Sequence, residues 1–237
     1  VHVKEVGELK VAMVAARARV LSNPGVDTLR QWVQEPQGIG FAAQPPQRRA
    51  AVLYAAALGA QQLRDMAGAR SAVQKLEALA QADAAALRLV RLLRAEVELA
   101  AGDASAAQTA LPEAKGVGTS TRRPELLLRT QILLKAGQPS AGTSALQTWV
   151  ANHPKDASAW HLLAAVWQAQ GQGLRAIRAE AEAHAARYDY AAAVDRFKAG
   201  QDLARRGGAA ADHIEASIID TRLRAMESLL REQAAER

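Results

Sequence analysis

The sequence predicts an all-α fold, a solenoid of helical hairpins, and three observations carry that prediction. Hydrophobic residues make up 49% of the 237-residue chain but aromatics only 4%, so the apolar content is mainly alanine, leucine and valine. Alanine and leucine head the helix-propensity scale, whereas the β-branched and aromatic residues that favour strands are few. A motif also recurs. Ala95-Glu96-Val97-Glu98-Leu99-Ala100-Ala101-Gly102-Asp103, with Ala107 and Leu111 after it, returns as Thr130-Gln131-Ile132-Leu133-Leu134-Lys135-Ala136-Gly137-Gln138, with Gly142 and Leu146. A third copy is Ala164-Ala165-Val166-Trp167-Gln168-Ala169-Gln170-Gly171, with Ala176. Finally, the turn glycines Gly102, Gly137 and Gly171 recur at a near-constant interval.

That interval matches the period of the tetratricopeptide (TPR) repeat, a helix–turn–helix of about 34 residues. The pattern within each repeat has a physical origin. Two helices joined by a turn approach closely only where side chains are small, and Ala95/Ala107, Thr130/Gly142 and Ala164/Ala176 supply those crossings. Glycine lets the chain leave the first helix through a left-handed conformation. Pro154 ends the second helix of its repeat, half a period past Gly137. Trp160, Leu163-Ala164 and Trp167 then follow the W-x-x-L-G-x-x-Y pattern, with alanine for glycine and tryptophan for tyrosine.

In chain order, Val6 to Leu21 is helical by pattern, Asn23-Pro24-Gly25 turns the chain, and a short helix covers Asp27 to Val33. Gln34 to Pro46 contains Pro36, Gly38, Gly40 and Pro45-Pro46 and is expected to be a long loop, not continuous helix. Leu53 to Leu63 with Asp65-Met66-Ala67-Gly68-Ala69 reads as a degenerate first repeat, separated from the next by a longer connection, Leu79 to Ala86. Tyr188-Asp189-Tyr190-Ala191-Ala192-Ala193 with Phe197 has the turn and second helix of a repeat, but follows Gly171 by only half a period. The helix from about Gly173 to Arg187 must therefore close one repeat and open the next. Asp212 to Glu232 reads as a final capping helix with Ile214, Ile218, Leu223, Met226, Leu229 and Leu230 as its apolar positions. The predicted organisation is a degenerate N-terminal hairpin and loop over 1–47, a TPR-like array over 48–206 and a C-terminal capping helix over 207–237.

Charge and chemistry narrow the function. The net charge is +6, yet the 30 basic residues are interleaved with 24 acidic ones, and the doublets Arg48-Arg49, Arg122-Arg123 and Arg205-Arg206 lie in separate segments near helix ends or loops. A nucleic-acid footprint needs basic residues gathered on one face, so no nucleic-acid partner is expected. No apolar run is long enough to span a membrane. With no cysteine there is no disulfide or thiolate metal site. His2, His153, His161, His184 and His213 show no metal-binding spacing, and Glu180/His184, four apart, reads as a solvated pair. Gly116-Val117-Gly118-Thr119-Ser120-Thr121 lacks the lysine and the preceding strand of a phosphate loop. Ser217 has no histidine base nearby, and Trp149, Trp160 and Trp167 fall at core positions of the repeat. No catalytic residue, metal site or cofactor is expected in the chain.

What remains is recognition. The first helix of each TPR hairpin lines the concave face. The register places Tyr54, Leu58 and Gln61 there from the first repeat, and Leu92, Glu96 and Leu99 from the second. Leu127, Gln131 and Lys135 come from the third, and His161 and Gln168 from the fourth. Amides that pair with a peptide backbone, beside leucines that take side chains, suit a protein or extended peptide.

The C-terminal run Ala181-Glu182-Ala183-His184-Ala185-Ala186-Arg187-Tyr188-Asp189-Tyr190-Ala191-Ala192-Ala193-Val194, with Ile214-Glu215-Ala216-Ser217-Ile218-Ile219-Asp220-Thr221-Arg222-Leu223, resembles the end of the periplasmic BepA-like zinc metallopeptidases. In that family an HExxH peptidase domain precedes a TPR domain. The resemblance covers nearly the whole chain, more weakly before residue 85. It implies a C-terminal TPR region in which zinc belongs only to the peptidase domain. It also implies a periplasmic location, a role in quality control of outer-membrane protein assembly, and docking on the chain's own peptidase domain, assembly machinery or client. No HExxH motif stands here, so no catalytic residue carries over. Val1-His2-Val3-Lys4-Glu5 is neither an initiator methionine nor a signal peptide and reads as the interior of a longer chain.

Overall fold

Five turns of one kind punctuate the chain. The computed structural model describes residues 2–112, 122–207 and 212–237, and for residues 2–7 the backbone alone. Arg64, Gly102, Gly137, Gly171 and Tyr188 each take a positive φ, between 62° and 85°. In each case the next residue's amide reaches back to the carbonyl five positions earlier: Asp65 to Ala60, Asp103 to Glu98, Gln138 to Leu133, Gln172 to Trp167 and Asp189 to His184. This is the Schellman closure, which satisfies carbonyls that a helix end would otherwise orphan. Asp65, Asp103 and Asp189 then cap the following helix, their carboxylates accepting from the amides of Gly68, Ala106 and Ala192. One helix is ended and the next begun within four residues.

The described residues form twelve α-helices and no strand. They are α1 (His2–Leu21), α2 (Val26–Gln34), α3 (Pro46–Gln62), α4 (Met66–Leu79), α5 (Ala84–Ala100), α6 (Ala104–Ala110), α7 (Arg123–Lys135), α8 (Ser140–Asn152), α9 (Ala157–Ala169), α10 (Gly173–Ala186), α11 (Tyr190–Arg206) and α12 (His213–Ala235). The chain divides into two compact units, Val1–Thr119 and Ser120–Arg237.

In the first unit α3 is the central element, packed against α1, α2, α4 and α5. Its alanine-rich sequence allows this: a helix buried on most of its circumference needs small side chains, and every residue from Val52 to Ala60 is buried. α2 crosses where α3 carries Gly59, at which a Cβ would lie 3.5 Å from the Val33 side chain. The expected long loop is more ordered than its prolines suggested, holding two 3-10 turns, Glu35–Gln37 and Phe41–Ala43. The expected long connection from Leu79 to Ala86 is shorter. α5 already starts at Ala84, because the Asp83 carboxylate, itself buried, caps the Ala86 amide at 3.0 Å. At the α5–α6 crossing Ala95 and Ala107 are both fully buried.

In the second unit each helix packs on the next, and next-but-one packing joins α7 to α9 and α10 to α12. The crossings fall at small residues. A Cβ on Gly142 would meet the Thr130 side chain at 3.5 Å, and Ala164 and Ala176 are buried. α10 touches α9, α11 and α12. On α12 the buried apolar residues are Ile219, Leu223 and Met226, whereas Ile214 is 76% exposed and not a core position. Ion pairs accompany this phase. Arg175 and Asp212 (3.2 Å), Arg178 and Glu215 (3.5 Å) and Glu182 and Arg222 (2.6 Å) form a ladder between α10 and α12.

Candidate functional site

The positions nominated for the concave face divide between the two units. In the first, α3 carries Tyr54, Leu58 and Gln61, and α5 carries Leu92, Glu96 and Leu99. Tyr54 and Leu58 are 5% and 1% exposed, so neither lies on an open face as the sequence suggested. α1 packs on both α3 and α5, and its Arg17 bonds Tyr54. Gln61, Leu92, Glu96 and Leu99 are partly buried.

A single guanidinium organises this face. Arg17 on α1 donates to the Tyr54 hydroxyl at 3.1 Å and to both carboxylate oxygens of Glu96 at 2.8 and 3.2 Å. The structure thus brings Tyr54 and Glu96, from two successive hairpins, onto one cation. Burial opposes the Arg17 charge, but the hydrogen bond to Glu96 and the field of that carboxylate outweigh it and hold the guanidinium above its ordinary pKa. Burial pushes the Tyr54 phenol up, so the ring stays a neutral acceptor for Arg17. Sequence reasoning missed Arg17, since an arginine on an amphipathic helix carries no sign of a partner 79 residues away.

In the second unit Leu127 is half-buried, and Gln131 and Lys135 on α7 and His161 and Gln168 on α9 are exposed. α7 and α9 pack on each other, held at one end by Asp156. Arg123, at the start of α7, bonds that carboxylate at 2.7 and 3.0 Å. The Trp149 indole donates to it at 2.8 Å, and the carboxylate also caps the Ala159 amide at the start of α9. The Arg123 bond, the Trp149 bond and the Ala159 amide hold Asp156 down to about 2 against the opposing effect of burial. The Trp149 ring stacks on His153 at 3.8 Å. Trp160 and Trp167 are buried, with Arg178 and Arg175 over their faces at 5.7 and 5.0 Å.

Among the described residues no group of three or more histidine, aspartate or glutamate side chains is placed to hold a metal ion, and no helix is long and apolar enough to cross a membrane. Glu180, set beside His184 by sequence, pairs with Arg196 at 3.5 Å. The glycine-rich stretch 116–121 lies outside the described residues. What the arrangement offers chemically is hydrogen bonding and apolar contact on helical faces. No protein-family model matches the chain, and no curated protein matches it.

Proposed function

We propose that this chain is a TPR-like protein-interaction module that takes an extended segment of a partner or client polypeptide on the face of its first-position helices. The observation that carries it is the series of five Schellman turns, three of them on glycines one repeat period apart, with next-but-one packing of α7 on α9. Such stacking leaves a continuous helical face whose side chains are not consumed by the core. Gln131, Lys135, His161 and Gln168 are exposed on α7 and α9, with Leu127 half-buried beside them. The test is an array of extended peptides probed with the chain and with the triple variant Leu127→Ala/Gln131→Ala/Lys135→Ala. Capture drops by at least about tenfold while helical circular dichroism is retained. If capture survives the triple variant and is lost on Ile39→Asp, at the fully exposed tip of the loop before α3, the loop is the binding element and the groove assignment fails.

On the resemblance of the runs 181–194 and 214–223, we further propose that the chain is the TPR region of a BepA-like periplasmic zinc metallopeptidase acting in outer-membrane protein quality control. Zinc and the catalytic residues belong, on this proposal, to a preceding peptidase domain. The alternative is a free-standing TPR adaptor. An in-frame HExxH upstream of Val1 supports the first and its absence the second. The 237-residue chain alone is expected to leave casein uncut in the presence of added zinc, and chelator-sensitive proteolysis by it would overturn the assignment.

A further inference from the structure

We infer that the α3–α5 face of the first unit is a groove for an amphipathic helix, that α1 is its resident occupant, and that a partner helix of the same pattern exchanges with α1. This rests on the interaction role proposed above and gives it a partner class. α1 sits on the first helices of two successive hairpins, the seating an external helix takes in a groove. Its inward residues follow helical spacing: Met13, Ala16 and Val20 are 1%, 1% and 0% exposed. The polar anchor is Arg17, reaching Tyr54 and Glu96, two of the positions that the sequence assigned to recognition.

Three features mark α1 as an exchangeable ligand more than a fixed core helix. Among the described residues it buries those three apolar side chains, whereas α3 buries ten residues. The Arg17–Glu96 pair keeps 35% and 24% side-chain exposure, so water reaches it as α1 lifts. Non-helical residues 22–25 follow α1, with Asn23 left-handed and Pro24 unable to donate a backbone bond, so it can lift without unwinding α2. The outward face of α1 carries a second apolar row, Val11, Val14 and Leu21, at 68%, 53% and 52% exposure. A helix apolar on two sides loses little solvation by changing which side it buries. The partner's chemistry is read from α1: an apolar residue, a small residue three positions on, an arginine next to it, and an apolar residue three further along. A tethered occupant competes at an effective concentration on the order of millimolar, so the resting chain binds such a helix weakly.

The probe is a fluorescein-labelled peptide of residues 8–21, measured by anisotropy against full-length chains. Arg17→Glu sets α1 against Glu96 in its own chain, and this variant captures the wild-type peptide at least about tenfold more tightly than the unaltered chain does. It does not capture the Arg17→Glu peptide. The double variant Arg17→Glu/Glu96→Arg restores the pairing within the chain and returns wild-type peptide capture to the weak level. Hydrogen exchange of the α1 amides rises in Arg17→Glu and falls back in the double variant. The inference is overturned if Arg17→Glu takes the peptide no better than wild type. Loss of the helical signal throughout the first unit in that variant would equally overturn it, since α1 would then be a fixed part of the core. Neither result touches the proposed role of α7 and α9, whose triple variant leaves α1 unaltered.

Discussion

At the scale of single residues the most informative side chain is Asp156. It is at once the cap of α9, the anchor of Arg123 from α7 and the acceptor for Trp149 from α8. Its pKa of about 2 lies below the 3.8 of an unstructured aspartate, so it binds its proton more weakly folded than unfolded. The stability it contributes is present above about pH 4 and is lost as pH falls through about 2. Asp156→Asn keeps the side chain's shape but loses the charge that draws Arg123. The Arg123 side chain is 45% exposed, so solvent screens the pair and the variant should lose about 1 kcal/mol at pH 7. Near pH 2 the protonated aspartate resembles the amide, and the gap should close. Denaturant titrations at both pH values check this; an equal deficit at both would assign the effect to packing. The same scale shows what a sequence hides. Gly102, Gly137 and Gly171 announced their turns because glycine enters the left-handed region freely. Arg64 (φ 65°) makes the same turn without a glycine to announce it, and Tyr188 (φ 62°) was placed from the run 188–193 together with Phe197.

At the scale of elements, small residues at the crossings decide how closely helices pack. Ala107 lies fully buried on the seven-residue α6, facing α5, where Ala95 is also fully buried. Ala107→Leu adds three carbons where no space remains and should cost roughly 1–3 kcal/mol. A lowered urea midpoint with an unchanged m-value is the expected result; an unchanged midpoint would mean that α6 rides over its neighbour with room to spare. α7 and α9 were legible because left-handed glycines, Gly137 and Gly171, follow them, and α8 because Pro154 follows its end. Legibility failed where the deciding contact is remote. Tyr54 carries the right spacing for a groove, and nothing local reveals that Arg17 of α1 reaches it. On α12 the apolar row was taken one position out of phase at Ile214. In the phase α12 takes, Asp212, Glu215 and Arg222 pair with Arg175, Arg178 and Glu182 on α10, about 40 residues away in sequence.

At the scale of the whole molecule the question is whether the chain unfolds as one body. The buried apolar residues fall into clusters that each lie within one unit. One runs from Met13 to Val97, one from Leu126 to Ala183, and one from Ala181 to Met226. Structure opens in contiguous cooperative pieces, so a defect acts first on the cluster in which it is made. Leu76 and Leu146 are both fully buried, the first in the unit ending at Thr119 and the second in the unit beginning at Ser120. Truncating a buried leucine to alanine costs about 2–5 kcal/mol, by lost transfer energy and by the cavity left behind. Differential scanning calorimetry of the wild-type chain should therefore resolve two transitions. Leu76→Ala should lower one and leave the other in place, and Leu146→Ala should do the reverse. If either substitution instead shifts a single transition as a whole, the two clusters report to one cooperative core, and the division into separately folding units is wrong.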